Sequence, residues 1–381
     1  MGNGANMRKE ERLNKRRKQG AMDRFLFLLV LALSFFGVLM VFSASAPYAL
    51  KQFGDAKYYF LRDSVFTILG ILVMWVVSRI PYLLYRRFAV ALYAVALFSC
   101  LLVWVPGISF PVNQAHRWIH LGPVTYMPSD GLKIASLILL VTLLTRKPPE
   151  KRGTLATLFA VMFFIGFTIL PVYLQPNFSA VIVISSVLLF VYFVYGMNLW
   201  HLFPMMGMAL AGLVVAFWPK PGNYRLERVL TVIDPMRDPS GSGWQLLQSL
   251  YAVASGGFFG VGFGRSVQKF DYLADEPHND FIFAVISEEL GFIGALLVIV
   301  GFGLLAYRGI AIAKKANTRF GQLLAYGLTF MICFQAMVNI GVAIGVVPTT
   351  GITLPFISYG GSSLLVMSAM VGVLLNISRD A

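Results

Sequence analysis

The chain has 381 residues, of which 58% are hydrophobic and only 13% are charged. A soluble domain carries about 25% charged residues, so this composition excludes an ordinary soluble fold. The formal net charge of +14 raises the question of nucleic acid, but the sequence has no nucleic-acid-binding motif, and basic residues beside apolar runs are typical of membrane topology and attraction to anionic lipid. We therefore expect a membrane protein with no nucleic acid partner.

Apolar runs long enough to cross a bilayer recur along the chain. A hydrocarbon layer about 30 Å thick needs about 20 mostly apolar residues per helix. The runs predict an all-α integral membrane protein of about ten transmembrane helices, at residues 25–45, 64–80, 88–105, 131–145, 154–174, 179–196, 202–218, 281–306, 320–345 and 363–378. They form a single membrane domain at 25–378, with a basic tail at 1–24 and a short C-terminus at 379–381.

The distribution of Lys and Arg predicts the orientation, because cytoplasmic segments near span ends are enriched in them. An N-terminus inside the cell places the basic start and the segments around Arg86, Lys147 and Lys314 in the cytoplasm. Both termini are then cytoplasmic. The first apolar run lacks a clear small-residue cleavage site, so we expect it to remain as a helix.

Two cysteines and four histidines give no indication of a metal. Cys100 and Cys333 fall within predicted spans, which supports neither a disulfide framework nor a thiolate cluster. The histidines have no metal-ligand spacing relative to the cysteines, so we predict no metal site.

Four segments interrupt the apolar pattern, and the predicted topology places all of them on the external face: 106–130, 175–177, 219–280 and 346–362. Function on helical membrane scaffolds usually collects in such loops. The largest, 219–280, contains WQLLQSLYAVAS, which predicts an amphipathic helix along the interface. The glycines from Gly256 to Gly264 lack the strand and GK[ST] of a phosphate loop, so they favour a flexible turn.

The carboxylates near the eighth span are the most specific indication of a functional site. In EPHNDFIFAVISEELG, His278 and Asp280 precede the span, and Glu288 and Glu289 lie about two turns inside it. Carboxylates inside membranes normally face a polar cavity or pair with a cation. Asp280 could act as a general base on a hydroxyl, or it could simply be a helix N-terminal residue stabilised by the dipole.

Further charged candidates precede the fourth span. Asp130 and Lys133 are three residues apart and share a helical face, where an ion pair explains them as well as catalysis does. Arg117 beside Trp118 could hold a phosphate by a bidentate contact, or the two could anchor the loop at the interface.

Several long motifs carry a family resemblance. ERVLTVIDPMRDPSGSGWQLLQSLYAVASGGFFGVGFGRSVQK, EPHNDFIFAVISEELG and VVPTTGITLPFISYGGSS resemble the signatures of the shape, elongation, division and sporulation family, which includes FtsW, RodA and SpoVE. HRWIHLGP, MPSDGLKIA and QPNF extend the likeness over nearly the whole chain. The GWQLLQS and GFGRSVQK forms are closer to FtsW and SpoVE than to RodA.

The resemblance implies a peptidoglycan glycosyltransferase that polymerises lipid II on the outer face of the bacterial cytoplasmic membrane. It also implies a class B penicillin-binding protein as transpeptidase partner, other division or elongation membrane proteins, and a septal location if this copy serves division. Asp280 matches the Asp of the family's HxDFIF motif, and its implied role is to deprotonate the acceptor sugar.

The resemblance also implies substrate-binding residues and leaves room for an ion. A divalent cation such as Mg²⁺ or Mn²⁺ could assist the leaving group, although no dedicated ligand set is present. The candidate binding residues are Arg117, Lys133, Asp130, Arg228, Arg265, Lys269, His278, Ser358, Gly360 and Ser362.

The sequence departs from the family pattern in three places. Residues 127–130 replace the usual QPSE, 175–177 replace QPD, and 273–276 replace LPE. Asp130 keeps its charge, whereas Asn177 puts an acidic role at that position in doubt. We expect the altered approach to Asp280 to change the conformation of the loop without removing the base.

Two other functions remain open from the sequence. Ten spans with intramembrane charges and Pro- and Gly-broken segments are compatible with a lipid II flippase, although no inverted repeat is evident. A non-catalytic scaffold that recruits the transpeptidase is the third hypothesis.

Overall fold

Helices dominate the computed structural model, which describes residues 20–105, 107, 109, 117–121, 124–146, 153–216, 218, 224–241, 243–270, 273 and 278–380. The α-helices in this part of the chain are Arg24–Phe53 (α1), Tyr58–Val77 (α2), Tyr82–Leu102 (α3), Pro128–Arg146 (α4), Leu155–Leu174 (α5), Phe178–Gly196 (α6), Leu202–Ala216 (α7), Tyr224–Ile233 (α8), Trp244–Ser255 (α9), Ile282–Lys315 (α10), Arg319–Ala343 (α11) and Gly361–Ser378 (α12). Short 3-10 turns lie at Leu199–His201 and Pro235–Arg237.

Each of the ten predicted spans coincides with one of these helices. Nine helices in the described ranges are long and apolar enough to cross a membrane, and α7, with 15 residues, is the shorter tenth. The prediction of an all-α membrane protein of about ten helices is therefore confirmed. A two-stranded antiparallel hairpin, β1 (Ile119–Leu121) and β2 (Val124–Tyr126), was not predicted and precedes α4.

Helix α4 lies at the centre of the bundle. Its apolar window is 78% buried and has a mean hydropathy of 1.4, whereas the window of α2 is 22% buried with a mean hydropathy of 1.9. A helix that packs against protein on all sides can carry polar residues that lipid would not tolerate. The central place of α4 therefore explains why its sequence is the least hydrophobic of the nine.

Helix α10 is kinked at Gly291, where φ is 66° and ψ is −163°. The kink leaves backbone groups without intrahelical partners, and the glycine-rich segment 256–262 supplies them. The N–H of Val261 donates to the carbonyl of Glu288 at 3.0 Å, and the N–H of Phe292 donates to the carbonyl of Gly257 at 2.9 Å. The first part of α10 is therefore a short helix of its own, fixed from the side.

The glycines of this segment allow close packing of two backbones. A Cβ at Gly256 would lie 1.9 Å from the carbonyl oxygen of Ser287, and a Cβ at Gly260 would lie 2.2 Å from that of Glu289. The predicted turn after α9 is confirmed, but its description as flexible was wrong at Gly256 and Gly260, because both are packed against α10.

Candidate functional site

A cavity of about 340 Å³ lies where the four predicted external segments meet. Its lining comes from the approach to α4, the start of α6, the residues before α10 and the segment between α11 and α12. The structure therefore brings residues from each of these four segments together at one cavity. The predicted site residues that line this cavity are Arg117, Asp130, Lys133, Asp280, Gly360 and Ser362.

The backbone that carries Asp280 is held at three consecutive carbonyl oxygens. The donors are the Tyr359 N–H to His278 (3.1 Å), the Ser358 hydroxyl to Asn279 (2.7 Å) and the Asn339 side-chain amide to Asp280 (3.0 Å). The Asn339 amide also donates to the carbonyl of Ile352 at 2.7 Å. One amide thus joins the Asp280 loop to the segment between α11 and α12.

The Asp280 carboxyl group is half-buried and faces this cavity. Gly351 lies beside it with φ of +68°, and a Cβ at that position would lie 3.6 Å from Oδ2 of Asp280. Because α10 begins two residues later, its N-terminal dipole stabilises negative charge here. The position satisfies both explanations given by the sequence, a general base and a helix N-terminal carboxylate.

Asp130 and Lys133 form the predicted ion pair on the first turn of α4. The Lys133 Nζ lies 2.7 Å from Oδ1 of Asp130, and each side chain is 5% exposed. Lys133 also lies 3.5 Å from Oε1 of Gln335, whose amide nitrogen donates to the carbonyl of Thr353 at 3.2 Å. The ammonium group is therefore oriented from two sides while it borders the cavity.

Arg117 and Asn177 connect the approach to α4 with the start of α6. Arg117 donates from Nη2 to the carbonyl of Pro176. The Asn177 side chain caps α6 by accepting from the N–H of Ala180 at 3.2 Å, and its amide donates to the Ser129 hydroxyl at 3.2 Å. The neutral residue at this position thus serves as a helix cap, a role for which no acid is needed.

Lys269 does not line the cavity but lies in a closed polar network at the kink of α10. Its Nζ is 2.7 Å from Oε1 of Glu289, with the two side chains 3% and 0% exposed. The Ser43 hydroxyl on α1 also donates to Glu289 at 2.7 Å, and Glu288 accepts from the N–H of Val267 at 2.9 Å. The charge of Lys269 is therefore neutralised within the protein. This pairing argues against the predicted role of Lys269 in binding substrate.

His278 is fully buried among aromatic rings, beside the cavity rather than in its lining. Its ring centroid lies 4.2 Å from that of Tyr59 and 5.4 Å from that of Tyr359. Neither ring nitrogen has a hydrogen-bond partner among the described residues. Burial lowers the pKa of the His278 imidazole to about 3, so the ring packs as a neutral group.

The remaining predicted residues are outside the described lining of the cavity, in three different places. Arg228 on α8 donates to the carbonyl of Thr349 at 2.6 Å, next to the segment between α11 and α12. Arg265 is exposed after the glycine-rich turn. Ser358 supports the backbone of Asn279 and also accepts from the N–H of Leu354 at 2.8 Å. These three residues are therefore not in the lining that Asp280 faces.

Sequence reasoning missed Gln335 and Asn339. Both are buried amides on α11, four residues apart and hence on one face of the helix. Polar amides inside an apolar span are costly unless they are paired, and this was the signal that could have identified them.

The residues described around the cavity do not form a protein cage for a metal ion. Among the residues that the structure describes, no group of three or more His, Cys, Asp or Glu side chains is positioned to hold one. Asp280 and Asp130 are the two carboxylates in the described lining, and Asp130 is already paired with Lys133.

Known proteins resemble the chain in sequence. The family model described as "Cell cycle protein", which represents FtsW, RodA and SpoVE, matches residues 23–381. Stage V sporulation protein E of Bacillus subtilis is 40% identical over 367 residues, which cover 95% of this chain and 98% of that protein. A protein of Trichlorobacter lovleyi named probable peptidoglycan glycosyltransferase FtsW is 39% identical over 372 residues, with coverage of 97% and 96%.

Solved structures are also similar to the chain. A chain from a structure titled "Structural coordination of polymerization and crosslinking by a peptidoglycan synthase complex" superposes with a TM-score of 0.78 at 31% identity, covering 94% of this chain and 98% of that one. The rod shape determining protein RodA of Thermus thermophilus superposes with a TM-score of 0.68 at 26% identity, covering 94% and 97%. From the match over residues 23–381 and the similarity to relatives over nearly their full length, the chain belongs to the FtsW, RodA and SpoVE family of cell cycle proteins.

Proposed function

We propose that this chain is a peptidoglycan glycosyltransferase that polymerises lipid II, with Asp280 as the general base. The observation that carries the proposal is the cavity that brings the Asp280 carboxylate together with the cations of Arg117 and Lys133. A base and two cations suit glycosyl transfer from a lipid pyrophosphate, because one group accepts a proton while the others stabilise the leaving charge.

In the proposed step, Asp280 removes the proton from the 4-hydroxyl of the acceptor sugar as that oxygen attacks the anomeric carbon of the donor. A new glycosidic bond forms, the bond to undecaprenyl pyrophosphate breaks, and the configuration inverts. Lys133 and Arg117 stabilise the negative charge that develops on the pyrophosphate. The three hydrogen bonds to the 278–280 backbone support this role, because they hold the backbone of the proposed base in one position beside the cavity.

The predicted topology and the relatives support the outer face of the membrane as the proposed place of the reaction. The basic segments favour a cytoplasmic location for both termini and an external location for the cavity, where lipid-linked sugars can arrive along the membrane. A class B penicillin-binding protein is the proposed partner, because a structural neighbour belongs to a complex that coordinates polymerisation and crosslinking. The septum is the proposed location if this copy serves division.

A divalent cation, if required, would bind with the substrate. Asp130 and Asp280 are the carboxylates of the described lining that border the space such an ion would occupy. Mg²⁺ usually keeps several waters and is held by one or two carboxylates together with substrate phosphates. Such an ion would neutralise pyrophosphate charge. Titration of Mg²⁺ binding with and without a pyrophosphate analogue would detect this dependence.

The test is polymerisation of lipid II by the purified protein with its transpeptidase partner. Asp280→Asn is expected to abolish polymer, because the amide cannot accept the proton. Asp55→Asn is a matched control, since Asp55 is exposed on the turn between α1 and α2 at the same end of the bundle. Polymer that persists in Asp280→Asn would refute the base assignment, and lipid II transport without polymer would favour a flippase.

A further inference from the structure

A second cavity lies at the other end of α10, far along the bundle from Asp280. It has a volume of about 350 Å³ and is formed by the start of α1, the last two turns of α10 and the end of α12. Arg308 and Lys315 on α10 are seven residues apart and both line it, a rise of about 10 Å along the helix.

The charges in this cavity are predominantly positive. Arg24, Arg308 and Lys315 line it together with one carboxylate, that of Asp23. Asp23 is already engaged: it accepts from Nη2 of Arg308 at 2.6 Å and from Nε at 3.0 Å, and it caps α1 through the N–H of Leu26 at 3.0 Å. Arg308 is therefore fixed in position, and Arg24 and Lys315 give the cavity a net positive charge.

An exposed apolar surface begins next to these cations. Phe25 is 48% exposed and Leu28 is 61% exposed on α1, immediately after Arg24. The Arg308 guanidinium lies 5.9 Å from the centre of the Phe25 ring. Cations at a helix end that adjoin a lipid-exposed apolar face match a ligand with an anionic head and a hydrocarbon tail.

We propose that this cavity binds the headgroup of an anionic phospholipid. The phosphate lies between Arg24, Arg308 and Lys315, and the acyl chains follow the exposed face of α1. The chain's own residues 1–19 are a poorer occupant, because their sequence carries seven Lys and Arg residues against two Glu. Free phosphate lacks the apolar part that Phe25 and Leu28 would contact.

The experiment measures binding of phosphatidylglycerol to the full-length protein in detergent micelles, by native mass spectrometry and by the shift in melting temperature. Arg24→Gln with Lys315→Gln is the test variant, because both side chains are exposed and neither supports another residue in the described contacts. Lys314→Gln is the matched control, since this exposed neighbour is not among the described lining residues. Each lost cation is expected to weaken binding about fivefold, and the double variant about 25-fold.

Three results would overturn the proposal. They are an equal loss of affinity in Lys314→Gln, an equal affinity of the native protein for phosphatidylethanolamine, and saturation of the same site by inorganic phosphate without lipid. Selective loss in the double variant, with an unchanged melting temperature in lipid-free detergent, would support it. The outcome is independent of Asp280, so it can fail or succeed without affecting the proposed glycosyl transfer.

Discussion

Two lysine–carboxylate pairs of the same length occur in different surroundings in this bundle. Lys133 lies 2.7 Å from Asp130, and Lys269 lies 2.7 Å from Glu289. The first pair borders the cavity and has Gln335 as a further contact, at 3.5 Å. The second pair is enclosed by the Ser43 hydroxyl and by the backbone N–H of Ser266, which lies 3.4 Å from Oε1 of Glu289.

The difference lies in what surrounds each pair. A buried carboxylate is stable only when hydrogen bonds and a cation replace its water. Glu289 obtains all of these from protein, so its network is complete and has no place for a substrate. Asp130 and Lys133 lie beside open space, where a ligand phosphate can become an additional partner. Distance alone does not separate a structural pair from a functional one.

The largest effect is expected on stability, when the cation of the enclosed Lys269–Glu289 pair is removed. Lys269→Met leaves the Glu289 carboxylate buried without a cation, and loss of one partner of a buried pair costs about 3–5 kcal/mol. The free energy of unfolding in detergent should fall by that amount. Arg265→Met is the control on the same segment: its side chain is exposed, so the expected change is within about 0.5 kcal/mol.

A double-mutant cycle sharpens this prediction. Adding Glu289→Gln to Lys269→Met removes the uncompensated charge, so part of the lost stability should return. If Lys269→Met were as stable as the native protein, or if Arg265→Met were equally unstable, the network at the kink would not be the closed structural unit described here.

The cavity pair should respond in activity more than in stability. Lys133→Met is expected to lower the rate of lipid II polymerisation by about 100-fold, because a cation that stabilises the leaving charge is lost. Its cost in unfolding free energy should be smaller, about 1–2 kcal/mol, since water in the cavity can solvate Asp130. Lys133→Arg keeps the charge and should recover part of the rate. A fully active Lys133→Met would remove this residue from the site.

The sequence was sufficient for the elements that depend on local composition. The apolar runs predicted the spans because the bilayer imposes a length on each helix. Asp130, Lys133 and Asp280 were found because they stand where polar segments meet spans, and charge in that position is rarely accidental. Lys269 was instead a candidate implied by the family resemblance, and its closed environment depends on Glu289 and on Ser43 from a distant helix.

The features that could not be predicted from the sequence depend on contacts between residues that are far apart in the chain. The kink at Gly291 and the glycine-rich segment form one structure only because two stretches about 30 residues apart exchange backbone hydrogen bonds. Asn339 supports Asp280 from α11, 59 residues away. Neither relation follows from periodicity or motif, since each depends on which helix faces which in the folded bundle.

The hydrogen bonds that position the Asp280 backbone can be removed without changing any charged residue of the cavity. Ser358→Ala removes one of the three hydrogen bonds to the 278–280 backbone, together with the acceptor of the Leu354 N–H. The polymerisation rate should fall about fivefold, the value of one hydrogen bond of about 1 kcal/mol. Ser358→Thr keeps the hydroxyl and should restore the rate. An equal loss in both variants would mean that packing, and not this hydrogen bond, positions Asp280.

The smallest expected effect concerns His278, which the protein buries in its neutral form. Its pKa is lowered from 6.5 to about 3 in the folded state, so the unfolded chain binds a proton more readily between these values. Stability should therefore be unaffected by this residue above about pH 6.5 and should decrease as the pH falls below it, by roughly 1 kcal/mol between pH 6.5 and 5.5. Melting temperatures measured across this range should show a smaller decrease for His278→Phe, which keeps an aromatic ring among Tyr48, Tyr59 and Tyr359. Identical pH profiles for the two proteins would show that the imidazole gains a proton without cost, and the ring would then have a polar partner in the folded state.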